Sequence, residues 1–245
     1  MTFRTKMTFR APSYRASGLA CSSSSKPGGP MALAARFREV DTTAICDADK
    51  TLRVMESAIK LRSAQPRIFG PAYTVRCRED FLGVLRAIES AAPGDVIVVD
   101  GGARELALAG EMFARGALTR GLGGIIVDAG YRDIGFVSTC ELPIYSRFVT
   151  PMAGTTGKLG ELQIPVTCGG VVVNPGDMIL ADSEGLLVVD PDRVSDLLDA
   201  AHAVKEAEAK LTEHLIAGGT LSDGTNLSAH VDALKRGEPS KLSFD

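Results

Sequence analysis

Read as a succession of apolar and polar positions, the chain is most informative between Asp95 and Asp133. Two continuous β-branched runs, VIVV at 96–99 and IIV at 125–127, bracket this stretch. Each is too short for an ordinary helix and does not alternate, the pattern of a strand covered on both faces. Between them Met112, Phe113, Ala117 and Leu118 recur at helical spacing up to Gly121. The pattern predicts strand, helix and strand, a βαβ unit whose crossover sets the strands parallel. The C-terminal ends of both strands and the start of the helix then share one sheet edge, where open α/β sheets place ligands. Gly101-Gly102, Gly110-Glu111, Asp128 and Tyr131-Arg132-Asp133 are expected there.

The remaining pattern is organised around that unit. Residues 32–38 form a short helix, and Asp41 or Thr42 caps a second running to about Asp49. A strand is expected over 68–78. Asp80 then caps an amphipathic helix with Phe81, Val84, Leu85 and Ile88 on one face. Pro-Gly-Asp turns at 93–95 and 175–177 each feed a strand. A helix reaches about Thr139 and a strand covers 143–147. The polar, glycine-containing stretch 150–160 is expected to be a mobile loop. Short β runs between 162 and 189 alternate with Gly and Pro turns and predict an antiparallel layer. Pro191-Asp192 opens a long helix to about Ala217, its stripe formed by Leu197, Leu198, Ala201, Val204, Leu211 and Leu215. The tail 218–245 is polar and is expected to be poorly ordered or packed on a neighbour. The prediction is a layered α/β domain over 32–217, a partly parallel sheet carrying helices and packed on a second β layer.

Composition narrows the classes. At 245 residues the chain suits one domain with a substantial core. A net charge of −3 argues against a nucleic-acid binder that works by phosphate neutralisation. No long apolar run exists, so no membrane span is expected. The five cysteines are scattered without a CxxC pair, which points to a reducing, cytoplasmic compartment rather than a disulfide framework or zinc site. Cys168 reads as a small buried filler. His202, His214 and His230 show no metal spacing and read as solvated. Residues 1–31 are basic and rich in Ser, Pro and Gly, and the first acid of the chain is Glu39. Disorder is expected there. Two readings of this stretch stand, a mitochondrial-type presequence and an extension upstream of a start at Met31.

The chemistry at the predicted edge is specific in type. Arg132 offers a planar fork of donors for a carboxylate or phosphate. Asp133 and Glu111 are hard oxygen ligands for Mg2+ or Mn2+. Gly110 lets the backbone pass close to a ligand, and the amides of Glu111, Met112 and Phe113 are unpaired donors at a helix start. Together they describe an anion pocket beside a divalent metal. The same residues also suit a turn salt bridge between Arg132 and Asp133 with Glu111 as a solvated first-turn acid, and spacing alone does not separate the two.

Gly110-Glu111, twenty intervening residues and Arg132-Asp133 resemble the G-[DE]-x20-R-D signature of the RraA-like family, which includes the class II 4-hydroxy-4-methyl-2-oxoglutarate/4-carboxy-4-hydroxy-2-oxoadipate aldolases. The stretches at 43–48 (TAICDA), 70–75 (GPAYTV), 165–170 (PVTCGG) and 175–182 (PGDMILAD) are similar to it too, so the resemblance spans about residues 37 to 190. It implies the swivelling β/β/α fold and Mg2+- or Mn2+-dependent carbon–carbon cleavage that releases pyruvate, with oxaloacetate decarboxylation as a side activity. It implies that Arg132 grips the carboxylate of a small 2-oxo acid. It also implies that Asp133, and Glu111 through water, hold the metal, and that the amides of 111–113 orient the pyruvyl half. The absence of a Lys at the edge fits a metal route over a Schiff base. A homotrimer or hexamer is implied as well, in which a C-terminal Glu of an adjacent subunit completes the site; Glu208 and Glu206 are the candidates. Glu111 stands where the aldolase prototype has Asp, and the longer arm bears on substrate preference. Another branch of the family inhibits an RNA-degrading endonuclease by protein contact and lacks the long C-terminal helix. Members have also carried a menaquinone-methyltransferase label, but Gly101-Gly102 and Gly123-Gly124 fit neither GxGxxG nor GxxxxGK[ST].

Overall fold

A computed structural model describes residues 29–243, so the readings made for residues 1–28 lie outside the described residues. Helices α1 (Pro30–Phe37) and α2 (Thr42–Ala48) come first, and Asp41 caps α2 by accepting the Ala44 amide at 2.8 Å. Two short strands follow, β1 (Arg53–Val54) and β2 (Lys60–Leu61), then β3 (Ile68–Arg76) and α3 (Leu82–Ser90). The predicted unit is present as β4 (Val96–Ala109), α4 (Glu111–Thr119) and β5 (Gly124–Tyr131). After it come α5 (Ile134–Val137), β6 (Ile144–Val149), β7 (Glu161–Leu162), β8 (Val166–Cys168), β9 (Val171–Val173), β10 (Met178–Ala181) and β11 (Leu186–Val189). Helices α6 (Val194–Ile216) and α7 (Leu227–Lys235) close the described chain.

The strand order is β1-β11-β10-β3-β4-β5-β6-β2, with β7 on the end of β3. The centre, β3 to β6, is parallel, as the crossover pattern requires. All eight residues of β5 are buried, which explains its unbroken apolar run. Within these runs the period of two still sorts the faces. Ile97, Val99, Ile125 and Val127 pack under α3 and α4 with Val84, Ala87, Ala114 and Ala117. Val96, Val98 and Ile126 face the opposite way, onto Val166, Cys168 and Val173 of the β8–β9 hairpin. A third cluster joins Leu180, Leu187 and Val189 to Phe37, Ile45 and Leu198, and so fastens α1, α2 and the start of α6 over β10 and β11. Helices thus cover one face and a hairpin the other, the layered α/β arrangement expected.

Some expectations are corrected. The β runs between 162 and 189 are not all one extra layer: β10 and β11 extend the main sheet antiparallel to β3, and β8–β9 alone form the separate two-stranded layer. On α3 Ala87 takes the buried place, while Leu85 is half exposed. The stretch 150–160 is pinned, because one Asp80 oxygen accepts from Thr155 Oγ1 (2.8 Å), Gly157 N (2.5 Å) and Lys158 N (2.9 Å) while the other accepts from Leu82 N (2.9 Å). The polar tail, expected to be poorly ordered or packed on a neighbour, contains a helix, α7, none of whose residues is buried within this chain. On α6 only Val194, Leu197, Leu198 and Ala201 are buried, and Leu215 is exposed. No described helix is long and apolar enough to cross a membrane.

Candidate functional site

An irregularity in β4 creates the site. Val99 pairs with Val127 and Ala109 with Tyr131, so ten residues of advance on β4 match four on β5. Register shifts take up the excess, and the strand bulges outward through the intervening residues before it rejoins its partner. It returns with Ala109 beside Tyr131. Gly110-Glu111, which opens α4, is thereby set against Tyr131-Arg132-Asp133. The Arg132 amide donates to the Ala109 carbonyl at 3.1 Å. The Glu111 amide donates to Asp133 Oδ2 at 3.0 Å, and Arg132 Nε lies 3.7 Å from the same oxygen. Residues more than twenty positions apart are therefore brought together at one rim.

Local backbone chemistry holds this meeting point. Asp133 sits at φ 60°, ψ 40°, in the left-handed region that Asp tolerates better than most side chains. Gly110 is extended, so its need is for space: a Cβ there would overlap Asp133 Oδ2 and stand 2.9 Å from Arg132 Cγ. Beneath it the Tyr131 hydroxyl donates to the Gly110 carbonyl at 3.2 Å. Tyr131 is fully buried, and burial pushes its phenol well up, so the hydroxyl keeps its proton.

The other predicted residues divide. The Glu111 carboxylate turns along its own helix to Arg115 (Oε1 to Nε, 2.8 Å), and Arg115 lies over the Phe136 ring at 4.2 Å. At the rim Glu111 contributes its amide, not its carboxylate. Phe113 meets Phe81 edge-on at 5.6 Å, and with Arg132, Ala107, Leu108, Ala109 and Ala153 they line a cavity of only about 10 Å³. Within one chain the site is a shallow notch. Met112 points outward and is 66% exposed. Glu208 belongs to another neighbourhood: it pairs at 3.2 Å with Lys205, whose ammonium also holds Asp41 at 2.9 Å. Glu206 is exposed on the same helix.

The donor set can be weighed against a divalent cation. No group of three acidic, His or Cys side chains converges among the described residues. Asp133 is 42% exposed, with Oδ2 engaged by the Glu111 amide. A single exposed carboxylate fits Mg2+ or Mn2+, hard ions that keep several waters and take one or two carboxylates. Glu111 joins such a set only through water or by leaving Arg115.

Gly101-Gly102 and Asp128, expected at the same edge, lie elsewhere. Gly102 and Asp128 belong to a second polar cluster around a cavity of about 300 Å³ lined by Glu56, Arg78, Asp100, Gly102, Asp128 and Arg147 among others, while Gly101 is buried against Ala129 and Leu108. Arg147 binds Asp128 Oδ1 at 2.5 Å and Glu56 Oε2 at 2.8 Å, and Asp128 Oδ2 accepts the Gly169 amide at 2.7 Å. The bond to Asp128 pushes the Arg147 guanidinium further up. The sequence signal for this cluster was slight: lone acids at 100 and 128 ending apolar strands. Cys168 beneath it is fully buried and its thiol is pushed well up by burial, which suits a filler and not a nucleophile.

Residues 42–188, more than half of the chain, match the RraA-like family model, described as Aldolase/RraA. The chain belongs to the RraA-like family. A Halalkalibacterium halodurans relative with a provisional 4-hydroxy-4-methyl-2-oxoglutarate aldolase name is 35% identical over 189 residues, 76% of this chain and 90% of its own. Among solved RraA-like folds, a Geobacillus kaustophilus protein described as an S-adenosylmethionine:2-dimethylmenaquinone methyltransferase is 31% identical. Its match covers 61% of this chain and 94% of its own, with a TM-score of 0.58. Streptomyces coelicolor RraAS2, described as an unusual member of the RNase ES inhibitor RraA protein family, is 27% identical over 74% of this chain and 95% of its own, with a TM-score of 0.64. Three different activities are thus named on RraA-like proteins, and the choice among them rests on the site.

Proposed function

We propose that this RraA-like protein is a divalent-metal-dependent class II aldolase that cleaves a 4-hydroxy-2-oxo acid, of the 4-hydroxy-4-methyl-2-oxoglutarate type, to pyruvate. Oxaloacetate decarboxylation accompanies it as a side activity. The observation that carries the reading is the junction of Arg132, Asp133 and the Glu111 amide within 3.7 Å at the rim. The relatives' aldolase names support it.

In such a cleavage the C4 hydroxyl gives its proton to solvent and becomes a carbonyl as the C3–C4 bond breaks, and the charge left on C3 spreads onto the 2-oxo oxygen. Protonation at C3 yields pyruvate. Decarboxylation of oxaloacetate leaves charge on the same atoms, hence the shared site. A divalent cation, when bound, supplies Lewis-acid stabilisation of that charge. Asp133 is the residue that holds it. Arg132, 44% exposed beside Asp133, receives the substrate carboxylate in its fork. The Met112 and Phe113 amides near the start of α4 orient the pyruvyl half, while the Glu111 amide holds Asp133 and Gly110 leaves room for that carboxylate. The shallow notch within one chain and the exposed Met112 suit closure of the site by a neighbouring subunit in a homotrimer or hexamer.

The test is pyruvate release, coupled to lactate dehydrogenase, from 4-hydroxy-4-methyl-2-oxoglutarate and from oxaloacetate. Turnover should need Mg2+ or Mn2+ and stop with EDTA. Arg132→Ala and Asp133→Ala should each lose more than about 100-fold, because each removes a charge partner of the transition state. No turnover with either acid overturns the reading and favours a non-catalytic regulator that binds and inhibits a ribonuclease, the role named for the Streptomyces coelicolor protein's family.

A further inference from the structure

One peptide unit at the rim is gripped from both sides. It is the unit between Gly110 and Glu111. Its carbonyl accepts the Tyr131 hydroxyl at 3.2 Å and, as the first bond of α4, the Ala114 amide at 3.1 Å. Its N–H donates to Asp133 Oδ2 at 3.0 Å. Hydroxyl, peptide and carboxylate therefore form a continuous chain of donors and acceptors. In such chains each bond polarises the next, so a donor on the carbonyl makes the N–H a better donor. The two grips come from one tripeptide, since Tyr131 and Asp133 flank Arg132. Gly110 has no spare space on the side facing Arg132 and Asp133.

We infer that Tyr131 is a positioning residue: through the Gly110-Glu111 peptide its hydroxyl fixes the Asp133 carboxylate with Oδ2 engaged and Oδ1 left for a divalent cation. The inference rests on the reading of Asp133 as the cation's ligand. Tyr131 itself touches neither ion nor substrate, because it is fully buried beneath the rim. Remove the hydroxyl and the ring still fills its space, but the peptide loses one of the bonds that set its plane. The amide then holds Asp133 less firmly, and the carboxylate samples orientations that an ion cannot use.

The full chain is tested as wild type, Tyr131→Phe, Asp133→Asn and Tyr145→Phe. Tyr145 is the control: its buried hydroxyl also bonds to backbone carbonyl oxygen, its one proton shared between those of Pro66 and Asp182, away from the rim. The primary readout is Mn2+ affinity from the electron paramagnetic resonance signal of the free ion, with no substrate present. Thermal melting of the metal-free protein and the kcat and KM for oxaloacetate are measured alongside. Tyr131→Phe should weaken Mn2+ binding about five- to tenfold and lower kcat at saturating Mn2+ with KM nearly unchanged. Tyr145→Phe should lower the melting temperature at least as much and leave Mn2+ affinity as in wild type. Mn2+ affinity unchanged in Tyr131→Phe but lost in Asp133→Asn overturns the inference and leaves the proposed function standing. Affinity unchanged in Asp133→Asn overturns both. Equal weakening in Tyr131→Phe and Tyr145→Phe also overturns the inference, since it shows a general loss of rigidity.

Discussion

At Gly110 the absence of a side chain does the chemical service. Its φ of −166° is open to any residue, so alanine meets no backbone strain there. What alanine meets is Asp133 Oδ2, and Arg132 Cγ at 2.9 Å. The methyl group can be accommodated only if the carboxylate and the Arg132 stem move apart. Displacements of this order are costly to a reaction that needs near-attack geometry. Gly110→Ala is therefore expected to lose pyruvate release by about 10- to 100-fold while the melting temperature changes little. A drop in melting temperature that parallels the loss of activity would show instead that the junction is a folding constraint and not a catalytic one. Arg115 illustrates a second residue-scale feature. Its i,i+4 pairing with Glu111 is readable from spacing, and it decides that the longer acidic arm of Glu111 lies along the helix and not over the notch.

At the scale of elements, the α1–α6 contact contains a titrating clasp. His202 on α6 bonds the Leu198 carbonyl through Nδ1 (2.7 Å) and Glu39, just beyond α1, through Nε2 (3.0 Å). The Leu198 carbonyl and then Glu39 raise its pKa above the ordinary 6.5. A raised folded-state value means that the clasp's contribution is fully present below about 6.5 and is lost as pH rises through the folded value. Thermal melts from about pH 5.5 to 8.5 should show wild type ahead of His202→Gln at the acid end, with the gap closing as pH rises. A gap that widens with pH would contradict the assignment. The elements themselves were legible to different degrees, for physical reasons. Strands β4 and β5 declare themselves because burial on both faces demands unbroken β-branched runs. The same runs say nothing about which neighbour an antiparallel strand selects, and so β10 and β11 read as a layer apart. The bulge in β4 was hidden because Asp100-Gly101-Gly102-Ala103 reads as a turn that ends a strand, whereas here the strand resumes. Helix α7 was missed because its sparse stripe, Leu227, Val231 and Leu234, buries nothing in this chain. The candidate rim was legible because its signature lies on the two elements that the pattern defined best.

Across the whole molecule, the two β layers are joined by a charged knot as well as by apolar packing. Glu56 follows β1, Asp128 lies in β5, Arg147 in β6, and Gly169 in the turn of the β8–β9 hairpin; the knot ties four separated segments. The Arg147 side chain is 13% exposed and that of Asp128 8%, so neither charge has much water to fall back on. Burying two ions is costly, and their attraction compensates only while both are present with their other bonds satisfied. The layers themselves are held by the apolar contacts of Val96, Val98 and Ile126 with the hairpin, which do not depend on the knot. This separates two outcomes. Arg147→Ala leaves Asp128 as a buried, half-partnered charge and is expected to destabilise by about 3–5 kcal/mol, read by chemical denaturation. The double variant Asp128→Asn with Arg147→Met removes both charges, keeps most of the volume and leaves a side-chain amide oxygen at position 128 to accept the Gly169 N–H. It should recover more than half of that loss. If the double variant is as unstable as the single one, the knot contributes net attraction beyond the neutralisation of its own charges, and the hairpin layer depends on it rather than on the apolar contact beneath.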